Sequence, residues 1–128
     1  MTVSQLCEKL SLKVVCGDVA KEFDGVYCGD LLSRAMSRVK FDNLWITIMA
    51  NTNVIAVASL TEASAVILAE NVELSPDALI AAIDNGITVL SSDKSAYELC
   101  VLIHELSCTN ITAIFTFTPV FPPAATMK

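Results

Sequence analysis

Three short polar stretches carry residue types that bind small charged molecules: Gly29-Asp30, Asn51-Thr52-Asn53 and Ser91-Ser92-Asp93. Each follows an apolar run and precedes a stretch that reads as a helix, so each is a strand-to-helix turn. There the first helical N–H groups lack partners and the helix dipole is positive, which favours an anion. Gly29 lets a ligand approach the backbone closely. Asp30, Asn53 and Ser92 also suit a plainer task, capping the helices that follow. Thr47 lies in the strand before the second stretch, and Tyr27 reads as a core or pocket-wall aromatic. The candidate ligand set is therefore Tyr27, Gly29, Asp30, Thr47, Asn51, Asn53, Ser91 and Ser92. It suits a small anionic metabolite or nucleotide.

Signals for catalysis are missing. The chain holds no G-x-x-x-x-G-K-[ST] phosphate loop, no G-x-G-x-x-G and no G-x-S-x-G elbow. His104 is the sole histidine, and nothing local brings a nucleophile and a carboxylate to it. Cys100, His104 and Cys108 recur every four residues and would share a helical face, but one chain would still lack a fourth zinc ligand. The expectation is a non-enzyme with no catalytic residues, no metal and no cofactor.

The elements that must position these turns are legible in sequence. Thr2 and Gln5 have capping-box spacing ahead of Val3, Leu6, Cys7 and Leu10, one apolar helical face. Strands are expected at Leu12-Lys13-Val14-Val15-Cys16, Val26-Tyr27-Cys28, Leu44-Trp45-Ile46-Thr47-Ile48, Ala65-Val66-Ile67-Leu68 and Ile87-Thr88-Val89-Leu90. Helices are expected from Leu31 to Met36 with Asp30 as cap, from Val54 to Ala58, after Ser75-Pro76-Asp77, and after Ser95 with its capping-box partner Glu98. Asn85-Gly86 closes the helix that Ser75 opens. The last helix is apolar on more than one face, which fits either burial within one chain or packing on a second copy. Residues 111–118 alternate Thr with apolar side chains as an edge strand does, before Pro119, Pro122 and Pro123 stop it. Strands alternating with helices predict an α/β domain: a single, mostly parallel sheet flanked by helices. In such a sheet, ligands bind beyond the carboxyl ends of the strands, where the three polar turns emerge.

Composition narrows the class. The chain has 128 residues, 54% of them hydrophobic and 17% charged, enough for one well-cored domain. A net charge of −6 argues against nucleic-acid binding through a basic face. The uncharged stretches 43–61 and 106–127 are too polar or too proline-rich to span a membrane. Five cysteines make a poor disulfide framework, and residues 1–10 do not read as a signal peptide. A cytoplasmic protein with reduced thiols is expected, and its high apolar content predicts a homodimer.

Several segments resemble the DRTGG domain family. They are Lys21-Glu22-Phe23-Asp24-Gly25-Val26-Tyr27-Cys28-Gly29-Asp30-Leu31-Leu32-Ser33; Trp45-Ile46-Thr47-Ile48 with Asn53-Val54-Ile55-Ala56-Val57-Ala58; and Ile87-Thr88-Val89-Leu90-Ser91-Ser92 with Ser95-Ala96-Tyr97-Glu98. The resemblance runs from the first helix to about Ile103, which gives a DRTGG-like α/β domain over 1–109 and an extension over 110–128. The eponymous stretch is degenerate. Residues 20–26 stand where the family has Asp, Arg, two variable residues, Thr, Gly and Gly, and only the first glycine survives, as Gly25. The resemblance adds Gly25 to the ligand set and implies a dimerising regulatory or ligand-binding module. Such domains accompany CBS domains in regulated pyrophosphatases and occur in phosphate acetyltransferases and in proteins related to the HPr serine kinase. A structural module that assembles a partner enzyme is the competing expectation, and a small hydrolase or transferase the third.

Overall fold

The computed structural model describes residues 1–114, with side chains through residue 107. Among the described residues five helices and five strands follow in the order α1 (Val3–Leu10), β1 (Lys13–Cys16), β2 (Val26–Cys28), α2 (Leu32–Arg38), β3 (Leu44–Thr47), α3 (Thr52–Thr61), β4 (Ala65–Leu68), α4 (Pro76–Asp84), β5 (Val89–Ser91) and α5 (Ala96–Ile114). They build one sheet in the order β1-β5-β4-β3-β2. β2, β3, β4 and β5 run parallel, and β1 pairs antiparallel with β5 at the edge.

The topology follows from handedness. Four parallel strands added in one direction, each through a right-handed crossover, place all their helices on one face. α2, α3 and α4 accordingly bury Ala35, Val54, Ile55, Val57, Ala58, Ala78 and Ala82 against Trp45, Val66, Leu68 and Val89. The other face falls to the flanking helices. α1 and α5 bury Val3, Leu6, Leu10, Leu99 and Ile103 against Leu44, Ile46, Ala65, Ile67 and Leu90. Successive strand residues thus serve alternate layers. Because both faces are covered, β3 and β4 are buried at every position and read as unbroken apolar runs.

Local signals explain most boundaries. Thr2 and Gln5 close a reciprocal capping box, as do Ser95 and Glu98. Ser75 Oγ accepts from the Ala78 N–H, with Pro76 in the first turn. Gly17 has φ +97° where the chain leaves β1, and a side chain there would meet the Thr88 backbone.

Four expectations need correction. Asp30 does not cap α2: Leu31 holds the cap position without a side-chain bond, and Asp30 turns instead toward β3. Asn51, not Asn53, caps α3, accepting from the Val54 N–H at 3.2 Å. β5 starts at Val89, because the Ile87 N–H is taken by Ala82 O at the end of α4. The stretch 111–114, read as the start of an edge strand, continues α5; the remainder of that strand and the proline tail lie outside the described residues. The two-faced character of α5 is largely absorbed within the chain, since Leu99 and Ile103 are buried and Cys100, Leu102 and Leu106 pack beside them.

Candidate functional site

The carboxyl ends of the parallel strands form one edge of the sheet, and this edge divides into two halves of different character. Over β2 and β3 it is knitted shut. Thr47 Oγ1 donates to Asp30 Oδ1 at 2.7 Å, and the Ile48 N–H donates to the same oxygen at 2.9 Å. The Met49 N–H in turn donates to Thr47 Oγ1. The indole N–H of Trp45, buried in the sheet, donates to Gly29 O at 3.0 Å. Asp30 Oδ1 and the Thr47 hydroxyl are engaged with each other, and Asn51 is occupied by α3. Gly29 has a reason to lack a side chain other than ligand approach: a Cβ there would lie 2.9 Å from the Tyr27 hydroxyl.

Over β4, β5 and β1 the edge is open. A groove of about 420 Å³ is lined by Lys13, Val14, Val15, Leu68, Leu79 and Ser91, together with the loop Asn71-Val72-Glu73-Leu74. A second depression, also about 420 Å³, shares Lys13, Asn71 and Ser91 and adds Ser11, Ser92, Asp93 and Lys94. Lys13 reaches this edge because β1 runs antiparallel, which sets its first residue opposite Ser91, the last of β5. The loop after β4 is held by its backbone. Glu70 and Asn71 both adopt left-handed φ, 58° and 59°. In that conformation the Glu70 N–H donates to Lys94 O at 2.9 Å and the Asn71 N–H to Ser92 O at 2.8 Å. Ser92 is buried, and its Oγ accepts from the Lys94 N–H, which folds the Ser91-Ser92-Asp93-Lys94 turn onto itself. Two lysines thus flank an open groove with two carboxylates, Glu73 and Asp93, in its walls. Phosphate or carboxylate groups would be held by the cations, and hydroxyl or amine groups by the anions.

The candidate residues therefore separate. Ser91 and Ser92 line the open half. Gly29, Asp30, Thr47 and Asn51 belong to the closed half, and Asn53 is exposed in the first turn of α3. Gly25 precedes β2 and so lies at the opposite, amino edge, where φ is +81° and a Cβ would crowd the Asn43 amide. Tyr27 lies along β2, on the α2 face. Sequence reasoning missed Lys13, Asn71, Glu73 and Lys94. Lys13 looked like a mid-strand residue, and only an antiparallel β1 could have pointed to it. Lys94 stood next to a named turn and was legible.

The thiols form a separate feature. Cys28 on β2 lies beside Cys100 on α5. Burial first, then the hydrogen-bonded Cys100 thiol and the Asp30 carboxylate, push the Cys28 thiol up to about 11. A thiol so raised stays neutral and is a poor nucleophile near pH 7. Among the described residues no group of three or more His, Cys, Asp or Glu could hold a metal, and no helix is long and apolar enough to cross a membrane.

Neither a family model nor a curated protein matches the sequence. Among solved structures, the chain is similar to the CBS and DRTGG domains of the regulatory region of Clostridium perfringens pyrophosphatase, complexed with the activator diadenosine tetraphosphate. The TM-score is 0.64 at 15% identity, over 80% of this chain and 45% of that one. This chain therefore spans less than half the length of that neighbour. What the two share is the fold, a single α/β domain with a mostly parallel sheet, consistent with a DRTGG-like architecture.

Proposed function

We propose that the protein is a non-catalytic regulatory module that binds a small anionic metabolite or nucleotide at the open half of the sheet edge. The observation that carries this reading is the groove between Lys13 and Lys94, built by three separate strand ends in a chain of net charge −6. The fold shared with a nucleotide-activated regulatory region supports it. A hydrolase or transferase is disfavoured by geometry. His104 stands nine residues along from Ser95, about 14 Å at 1.5 Å per residue, too far from the groove to act as its base.

The module acts as a homodimer. Leu60, Ile80 and Ile83 leave most of their surface exposed on the adjoining helices α3 and α4, and a second copy would cover them. The same patch would serve the competing reading, a structural module that assembles a partner enzyme.

Thermal melts of the full chain against nucleotides and phosphorylated metabolites test the reading, on protein whose mass is measured by light scattering. A ligand at a hundred times its Kd adds about 2.7 kcal/mol and raises the Tm by roughly 10 °C. Lys13→Gln with Lys94→Gln abolishes that rise. A panel that moves nothing, on protein of twice 13.7 kDa, refutes the sensor and favours the assembly module.

A further inference from the structure

A second positive site lies away from the groove. The chain has eight Lys and Arg residues, and Arg34, Arg38 and Lys40 fall within seven positions that contain no acidic residue. Arg34 and Arg38 are four apart on α2, so one helical turn sets them on the same side. Ala35 and Val39, each the residue after one of the arginines, are buried and anchor the segment to the core. Beyond the helix, the Lys40 N–H is held by Asn43 Oδ1 at 2.8 Å. The three side chains and Tyr27 line a single open depression of about 390 Å³ beside β2, the edge strand. Among the described residues, none of the three cations has an ion-pair partner or a side-chain hydrogen bond.

The three cations are gathered at one place on an acidic protein, and no carboxylate among the described residues pairs with them. The arrangement is explained by an anion that joins them. Guanidinium forks match phosphate oxygens two at a time, and the phenol of Tyr27 brings a further donor and a ring face. Three cations at one place suit a di- or triphosphate, whose several charged oxygens they can share. An acidic peptide lying along the free edge of β2 would call for cations spaced along that strand. They sit instead on the helix and the turn after it, gathered about one point.

We propose that Tyr27, Arg34, Arg38 and Lys40 form a binding site for a polyphosphate group, free or carried by a nucleotide. The site shares no residue with the groove and does not depend on it. Calorimetric titration of the full chain with tripolyphosphate and with ATP tests it, at low and at physiological salt. The expected result is saturable binding of both, weakened by salt. Arg34→Gln with Arg38→Gln weakens it about a hundredfold, roughly tenfold for each lost charged contact, and Lys13→Gln with Lys94→Gln leaves it unchanged. Both arginines are exposed, so their replacement leaves the thermal melt in place. Tighter binding of ATP than of tripolyphosphate, lessened by Tyr27→Leu, assigns the ligand as a nucleotide; equal binding assigns free polyphosphate. Absence of binding, or an affinity lowered only by the Lys13 and Lys94 changes, overturns the proposal. Tighter capture of an acidic peptide than of either phosphate compound also overturns it, in favour of a protein partner.

Discussion

Replacing Asp30 by alanine separates a structural lock from a ligand contact. In the structure one carboxylate oxygen accepts from Thr47 Oγ1 and from the Ile48 N–H, at 2.7 and 2.9 Å. Thr47 is 1% exposed beneath an exposed Asp30, so once the carboxylate is gone its hydroxyl loses its partner and gains only partial access to water. Stranding a buried donor costs about 1–3 kcal/mol. The Ile48 N–H is nearer to solvent and recovers most of its loss from water, which leaves about 0.5 kcal/mol. The expected destabilisation is about 2 kcal/mol in total, or roughly 1.4 M in urea midpoint if the slope is about 1.4 kcal/mol per molar. Asp30→Asn keeps an oxygen acceptor in place and loses less than about 1 kcal/mol. Trp45 is the sole tryptophan, and its indole bonds Gly29, the residue before Asp30. Its fluorescence therefore reports on the corner being altered. A midpoint for Asp30→Ala within about 0.3 M of the wild type, well inside the expected shift, would refute the reasoning. It would mean that the lock is not made in solution, and that Asp30 is available to a ligand as its position after a strand first suggested.

Two further perturbations follow from the same structure. Gly17→Ala forces a left-handed φ of +97° on a residue whose Cβ would meet Thr88 Cα at 2.4 Å; a loss above about 3 kcal/mol is expected. Gly86→Ala meets nothing within 4 Å at φ +66° and costs about 1 kcal/mol, so equal thermal melts for the two variants would contradict the packing at the end of β1. Cys28, raised to about 11, is neutral below that pH and forms the reactive thiolate only as pH climbs toward it. Its iodoacetamide labelling, followed by peptide mass spectrometry, is expected to rise about tenfold per pH unit from 8 to 10. A plateau near pH 9 would show that neither burial nor the Cys100 and Asp30 neighbours hold the thiol up.

Which features were readable from sequence depends on the range of the interaction behind them. Capping is settled within four residues, so the Thr2, Ser75 and Ser95 caps stood out. The apolar runs of β3 and β4 were equally plain, because a strand covered on both faces shows an unbroken apolar stretch. Asp30 misled for a physical reason: an Asp before a helix can turn back to the helix or sideways to the next strand. Only the parallel placement of β3 beside β2 puts Thr47 within its reach. Residues 111–114 misled in another way, since Thr alternation suits a strand while the helix begun at Ser95 continues through them.

The amino-acid sequence by itself determined the α/β class, a mostly parallel sheet and the presence of polar turns at strand ends, because those rest on local periodicity; the strand order came from the tertiary structure. Tertiary structure decided which turns stay open. Asp30 and Thr47 close half the edge by bonding each other across adjacent strands, and an antiparallel β1 carries Lys13 to the other half. The basic depression beside β2 was decided in the same way. Arg34, Arg38 and Lys40 stand close in sequence, but Tyr27 joins them only because the edge strand lies beside the helix that follows it. Contacts between elements distant along the chain leave no periodic trace in it, and the candidate binding residues meet through such contacts.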